Sequence, residues 1–385
     1  MQRGAIMKGF KNAKVYLHGK GIVKLDVKVE NGIITGIGSF DIDEPYYCPD
    51  NAVVLPGFID QHVHGAGGSD AMDGTLCDLE TISKTLAKEG TTSFLATTMT
   101  QKKENILSAL SAVKAYRESG KIVGAKLVGV HLEGPFIAEK FKGAQPLEYI
   151  VKPSVEVFDE YYKASGNCIK VVTMSPENDE NHALIKHLNS LGVIASVGHS
   201  NAKFKDVEDA TLSGLKGVTH TFNAQSPLHH RDVGTVGSAL LLDDLTAEMI
   251  CDLIHLSAPA IKLLVKNKPH DKIVAITDAM RAKGLEDGVS ELGGQKVIVK
   301  DGTARLEDGT LAGSILKMND AIKNLVLSCG VKFTDAVDFA TINPAKNLCI
   351  NNVCGSIDVG KNADFCVMDE DFNVVSTIVN GEKVF

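Results

Sequence analysis

Ile59-Asp60-Gln61-His62-Val63-His64-Gly65 follows an apolar run, Val53-Val54-Leu55, and a turn pair, Pro56-Gly57. The pattern predicts a strand over residues 53–64 that ends in the two histidines. Side chains at i and i+2 of a strand point to one face, so His62 and His64 project together. Two imidazoles on one face make half of a metal site. An isolated His-x-His is more often an ordinary pair of histidines. This one is not isolated, because later apolar runs also end in metal-binding or acid–base residues.

Working outward, strand-like runs recur at 91–99, 126–136, 169–175, 193–199, 217–223, 248–255 and 273–278. Amphipathic helical stretches separate most of them, at 76–89, 103–119, 181–191 and 258–266, and Gly90, Gly120 and Gly192 stand where a left-handed helix end is expected. Alternating strand and helix predicts a parallel sheet. Eight such units fit a closed (β/α)8 TIM-like barrel better than a doubly wound open sheet. The barrel is expected over residues 56–349. A Gly-rich piece at about 284–313, holding Lys296-Val-Ile-Val and Thr303-Ala-Arg-Leu, reads as a β-hairpin insert over the barrel mouth.

The two ends of the chain read differently. Val27-Lys-Val-Glu, Asn31-Gly32 and Ile33-Ile34 form a hairpin signal, and so do Ser376-Thr-Ile-Val, Asn380-Gly381 and Glu-Lys-Val-Phe. A hairpin alone is marginal, so residues 1–55 and 350–385 are expected to build one small β-sandwich domain together. The overall fold class is therefore α/β.

With 385 residues, 44% apolar and 23% charged, the chain affords a large core. A net charge of −8 argues against nucleic acid or an anionic membrane as partner, while leaving room for an anionic small molecule at a local basic site. The first residues lack the apolar stretch of a signal peptide, and no run is long enough to span a membrane. Eight cysteines without a Cys-x-x-Cys pair fit a reducing cytoplasm.

Active sites of such barrels gather at the C-terminal strand ends. Those ends carry His62 and His64, then Glu133, His199, His220, His255 and Asp278. Each has a plain alternative, such as a core histidine or, for Asp278, a helix cap. Together they suit two divalent ions bridged by Glu133, one held by His62 and His64, the other by His199 and His220. Zinc, iron and manganese all suit these ligands. Such a site acidifies a bound water, and Asp278 would act as general base and then general acid. Hydrolysis at a carbonyl or amidine carbon is expected.

These residues resemble the amidohydrolase superfamily. Pro56-Gly-Phe-Ile-Asp-Gln-His-Val-His-Gly, His131-Leu-Glu-Gly-Pro-Phe, Lys142-Gly-Ala-Gln-Pro, Val197-Gly-His-Ser, Thr219-His-Thr-Phe-Asn-Ala, Ser226-Pro-Leu-His-His-Arg, Thr277-Asp-Ala-Met and Leu311-Ala-Gly-Ser are similar, more closely, to its amino-sugar-phosphate deacetylases. The resemblance implies metal-dependent removal of acetate from N-acetylglucosamine 6-phosphate in amino-sugar catabolism and cell-wall recycling. The alternatives are the galacto epimer or another amidohydrolase acting on a cyclic amide or amidine. A catalytically dead scaffold would have lost a ligand or the acid/base, and neither is missing here.

The resemblance further implies Asp278 as acid/base and His62, His64, Glu133, His199 and His220 as ligands, since members with one metal replace the first-strand pair by Gln and Asn. It places substrate contacts at Asn223, Ala224, His255 and Leu311, and a homodimer in which Arg231 reaches the phosphate in the neighbouring subunit. Gln145 stands where some members have a sugar-binding His. Leu253 stands where the family usually has Gly, which bears on the pose of His255. His229 and His230 are expected at the interface or on the phosphate side rather than on a metal.

Overall fold

The computed structural model of the protein describes residues 7–385. Eight strands pair in parallel and in sequence order, each with the next: β1 Phe58–Val63, β2 Thr91–Thr98, β3 Lys126–Glu133, β4 Ile169–Met174, β5 Ile194–Val197, β6 Leu215–Val218, β7 Thr246–Ile250 and β8 Ile273–Ile276. β1, β2 and β5 are buried at every residue, as expected for strands covered by side chains inside and by helices outside. The sheet closes where β8 meets β1. There the Asp278 amide donates to the His62 carbonyl at 2.8 Å and the His64 amide to the Ala279 carbonyl at 2.9 Å. Three site residues thus sit in the seam that closes the barrel.

The strand expected over 53–64 is two strands. Ala52–Pro56 belongs to the terminal sheet and Phe58–Val63 to the barrel. Pro56 has no N–H to continue a ladder, and a Cβ on Gly57 would overlap the Thr92 side chain. The chain passes from one sheet to the other at this point. The helix expected over 181–191 starts late, at Ala183, because Asn181 and His182 take left-handed φ of 54° and 52°. Gly90, Gly120 and Gly192 are left-handed, with φ of 86°, 65° and 71°.

Both termini contribute to one further sheet. Lys8–Leu17, Gly21–Glu30, Ile33–Gly38 and Ala52–Pro56 join Phe365–Asp369, Val374–Val379 and Glu382–Lys383. The sandwich is a single hydrogen-bonded sheet curled around Phe10, Val27, Val54, Phe365 and Ile378. The two Asn-Gly turns, left-handed at both residues, meet through Ala363, which donates to Gly32 and accepts from Gly381. After β8 comes a three-stranded antiparallel sheet, Gly288–Leu292, Gln295–Lys300 and Thr303–Leu306, one strand more than a hairpin. Gln101 Nε2 bonds the Gly293 carbonyl at 2.8 Å, tying this sheet to the barrel mouth.

Candidate metal centre and active site

The site residues stand at or just past the C-terminal ends of their strands, and several sit on unusual backbone. His199, His220, Phe222, Ala224, Leu253 and Asp278 have φ of 47°, 30°, 80°, 48°, 64° and 49°. Non-glycine residues adopt this region at a cost, and such strain gathers at functional sites where neighbours hold it. Here backbone bonds do so, for instance Ser314 N to Asp278 O at 2.8 Å and Ala138 N to His199 O at 2.8 Å.

Glu133 is the hub. Its Oε1 lies 3.0 Å from Nε2 of both His199 and His220, and its Oε2 lies 3.1 Å from His64 Nε2 and 3.7 Å from His62 Nε2. Asp278 Oδ1 lies 3.4 Å from His62 Nε2 and 3.3 Å from His64 Nε2. All six residues are buried. Among the described residues three groups bring possible ligand atoms within 4.8 Å of one another, His62–His64–Asp278, Glu133–His199–His220 and, behind them, His62–His131–Glu248.

The donor set fits divalent metal on three counts. His62 Nε2 is buried without a hydrogen-bond partner. The Nε2 atoms of His199 and His220 face each other at 3.2 Å. With Glu133 Oε1 at 3.0 Å from each, they form a face of a tetrahedron whose centre lies roughly 2 Å from every atom. The opposite nitrogens of two rings are anchored: His62 Nδ1 on Glu248 Oε2 at 3.1 Å, and His199 Nδ1 on the Phe141 carbonyl at 2.8 Å. Ligating histidines use this kind of support.

The charges agree. Burial opposes the ionised forms of Glu133, Asp278, His62 and His64, and their neighbours outweigh it. His62, His199 and His220 hold Glu133 well below the usual carboxylate range. His62 and His64 hold Asp278 at about 2. Asp278 and Glu133 raise His64 to about 10. The two carboxylates call for positive charge at the imidazole nitrogens, supplied by protons or by divalent ions in their place.

The cluster floors a cavity of about 340 Å³ lined also by Gln145, Asn223, Ala224, His255 and Leu311. Gln145 is engaged at both ends, donating to Glu133 Oε2 at 3.1 Å and accepting from Thr100 N at 2.8 Å. Leu253 tolerates its left-handed φ because Asp252 orders the turn: Oδ1 accepts from Ile254 N and His255 N, each at 2.8 Å, and Oδ2 meets His255 Nδ1 at 2.6 Å. Arg231 is not in this cavity. It is exposed with His229 and His230, its Nη1 2.9 Å from His230 Nε2.

Sequence reasoning missed two residues. Glu248, buried within β7, binds Gln61 Nε2 at 2.7 Å as well as His62. The available signal was an acid inside the strand Thr-Ala-Glu-Met-Ile. Lys140, the one lysine lining the cavity, belongs to a basic stretch, Lys140-Phe-Lys142, directly after the Glu133 motif. His131 is a core residue. Its nitrogens meet Gln61 O and Thr173 Oγ1, and burial pushes it down to about 4.

A closed parallel barrel with this carboxylate–imidazole cluster at its mouth defines a class, and residues 53–384 match the amidohydrolase family. The chain belongs to that family, whose members are metal-dependent hydrolases. Within it, the chain is 43% identical to the N-acetylglucosamine-6-phosphate deacetylase of Bacillus subtilis (strain 168), covering 93% of this chain and 92% of that one. It is 32% identical to the N-acetylgalactosamine-6-phosphate deacetylase of Escherichia coli O157:H7, covering 92% and 93%. The crystal structure of N-acetylglucosamine-6-phosphate deacetylase from Thermotoga maritima superposes with a TM-score of 0.89 at 37% identity, covering 98% and 99%. Among the described residues no helix is long and apolar enough to cross a membrane.

Proposed function

We propose that the protein hydrolyses the acetamide of N-acetyl-D-glucosamine 6-phosphate to D-glucosamine 6-phosphate and acetate. The observation that carries this reading is the Asp278 carboxylate, 3.3 Å from His64 Nε2, at the floor of a cavity rimmed by hydrogen-bonding side chains. The similarity to deacetylases of this substrate over most of the chain supports it.

Glu133, His199 and His220 would hold one divalent ion, and His62 and His64, with Glu133 between, a second. Zinc, iron or manganese suits these donors. An ion there would polarise the acetamide carbonyl and acidify a water. The remaining steps belong to the chain. Asp278, held ionised, takes the proton of the water as its oxygen bonds to the carbonyl carbon. It returns that proton to the amide nitrogen as the C–N bond breaks, so the amine leaves neutral. His255, tied to Asp252 through Nδ1, presents Nε2 to the substrate. Asn223, Ala224 and Leu311 border the sugar, and Gln145 acts on the site through Glu133.

An acidic protein must supply cations for the phosphate locally. Lys140 lines the cavity, whereas Arg231 projects from an exposed loop beyond it. That placement supports a homodimer in which Arg231 serves the neighbouring site. The eight free cysteines support a cytoplasmic setting, within amino-sugar catabolism and cell-wall recycling.

The test is acetate release by metal-loaded protein from the gluco and galacto epimers of the N-acetylated amino-sugar 6-phosphate. Faster release from the gluco epimer is expected. Preference for the galacto epimer would transfer the assignment to that substrate, and no release from either would refute it.

A further inference from the structure

Two of the ligand histidines are oriented by protein groups on their far side, His62 by Glu248 and His199 by the Phe141 carbonyl. His64 and His220 have no such partner, each Nδ1 being buried and unbonded. A His64 ring that ligates metal through Nε2 carries its proton on Nδ1. Nearby are two more buried atoms without partners, Asp70 Oδ2 and Arg281 Nε. Buried polar groups in folded proteins nearly always find a partner, in protein or in ordered water.

The backbone brings these three residues together. Gly65 pairs with Asp70 across a short antiparallel turn, Ala71 N donates to His64 O at 2.8 Å, and Gly68 N donates to Arg281 O at 2.8 Å. Asp70 and Arg281 line one small cavity of about 170 Å³, large enough for water. The other oxygen of Asp70 caps the following turn, accepting from Met72 N at 2.9 Å, so only Oδ2 is free. Arg281 is held by Asp73 through Nη2 at 2.8 Å, leaving Nε directed elsewhere. The donors and acceptors balance. His64 Nδ1–H and Arg281 Nε–H are donors, and Asp70 Oδ2 is an acceptor. His64 lines the active-site cavity instead of this one; a water reaching all three atoms would accept from both donors and donate to the carboxylate, making about three bonds, as buried waters do.

We propose that Asp70, assisted by Arg281, is a positioning residue for His64, acting through a bridging water to fix the ring that serves the first-strand half of the metal centre. This inference rests on the metal-dependent reading above and adds a residue that touches neither substrate nor metal. Its consequence is an asymmetry, the His62–His64 half depending on the Gly65–Asp70 turn and the Glu133–His199–His220 half not.

The test is zinc titration of metal-stripped protein in competition with a chromophoric chelator. Asp70→Asn keeps the size and the capping oxygen but loses the charge. Wild type is expected to take two equivalents. In Asp70→Asn one of them should weaken by about 10- to 100-fold, the usual effect of losing outer support of a ligand, with the other unchanged. Asp78→Asn, which alters the bond from Ser69 in the same turn and touches neither Asp70 nor Arg281, should stay within about twofold of wild type. Should Asp70→Asn fail to fold, Arg281→Met carries the same expectation. Equal zinc binding in wild type and Asp70→Asn, an equal loss in Asp78→Asn, or a single unaffected equivalent in wild type would each overturn the proposal. The readout is separate from turnover. Wild-type acetate release with unchanged zinc binding in Asp70→Asn sinks this inference alone, and selective zinc loss without acetate release sinks the substrate assignment alone.

Discussion

Glu248→Gln probes the support of the metal centre with little change of shape. Glu248 accepts three buried donors: Gln61 Nε2 at 2.7 Å on Oε1, with His62 Nδ1 at 3.1 Å and His220 N at 3.3 Å on Oε2. An amide has only one oxygen. Whichever way it turns, its NH2 faces a donor, leaving either the Gln61 amide or the His62 ring unpaired. A buried group left without its partner costs about 1–3 kcal/mol. Independently, losing the outer support of a ligating histidine weakens metal binding by about 10- to 100-fold, which is about 1.4–2.8 kcal/mol. The two routes agree, so the variant should bind metal one to two decades more weakly. Zinc competition and thermal unfolding with and without metal measure this. A Glu248→Gln protein that binds zinc within about twofold of wild type, with an unchanged melting temperature, would refute the reasoning.

Elemental analysis after reconstitution should find two divalent ions per subunit, and a ceiling of one would leave only the Glu133, His199 and His220 half. Arg231→Ala should lower kcat/KM on the phosphorylated sugar by about one to two decades, the worth of a charge-assisted contact, and spare the unphosphorylated sugar. Mixed dimers of Arg231→Ala and Asp278→Asn subunits should keep about half of wild-type activity if the two-fold dimer shares its sites, and near-complete loss would place Arg231 in its own subunit's site. Leu253→Gly should be at least about 1 kcal/mol more stable than Leu253→Ala, since only Gly relieves the left-handed φ; the reverse order in urea unfolding would dismiss strain at that turn.

Much of this architecture was legible in the sequence because it is periodic. The barrel runs are short and apolar, each ends in a chemically distinctive residue, and closing the barrel brings those ends together. Legibility failed where a contact links distant segments. Glu248 and His62 are separated by 186 residues, and nothing local marks an acid in an apolar strand as the anchor of a histidine. The split at Gly57 was hidden for a similar reason, because Val53-Val54-Leu55 and Phe58-Ile59 are equally apolar but serve different sheets. Gln145 lines the cavity where its motif places it, but its engagement by Glu133 and Thr100 depends on how the loop folds back. Leu253 shows the converse. A residue unsuited to its backbone is held there by three bonds to Asp252, and His255 reaches the cavity.

The central claim is that Asp278 moves the proton in hydrolysis of an acetylated amino-sugar phosphate at a metal centre. Its most direct test is acetate release from N-acetylglucosamine 6-phosphate by metal-loaded wild type beside metal-loaded Asp278→Asn, with metal content measured in both. Wild type should turn over, and the variant, equally loaded and folded, should be slower by about 10²–10⁴-fold, the worth of a general acid–base group. Near-normal turnover by the loaded variant would contradict the account.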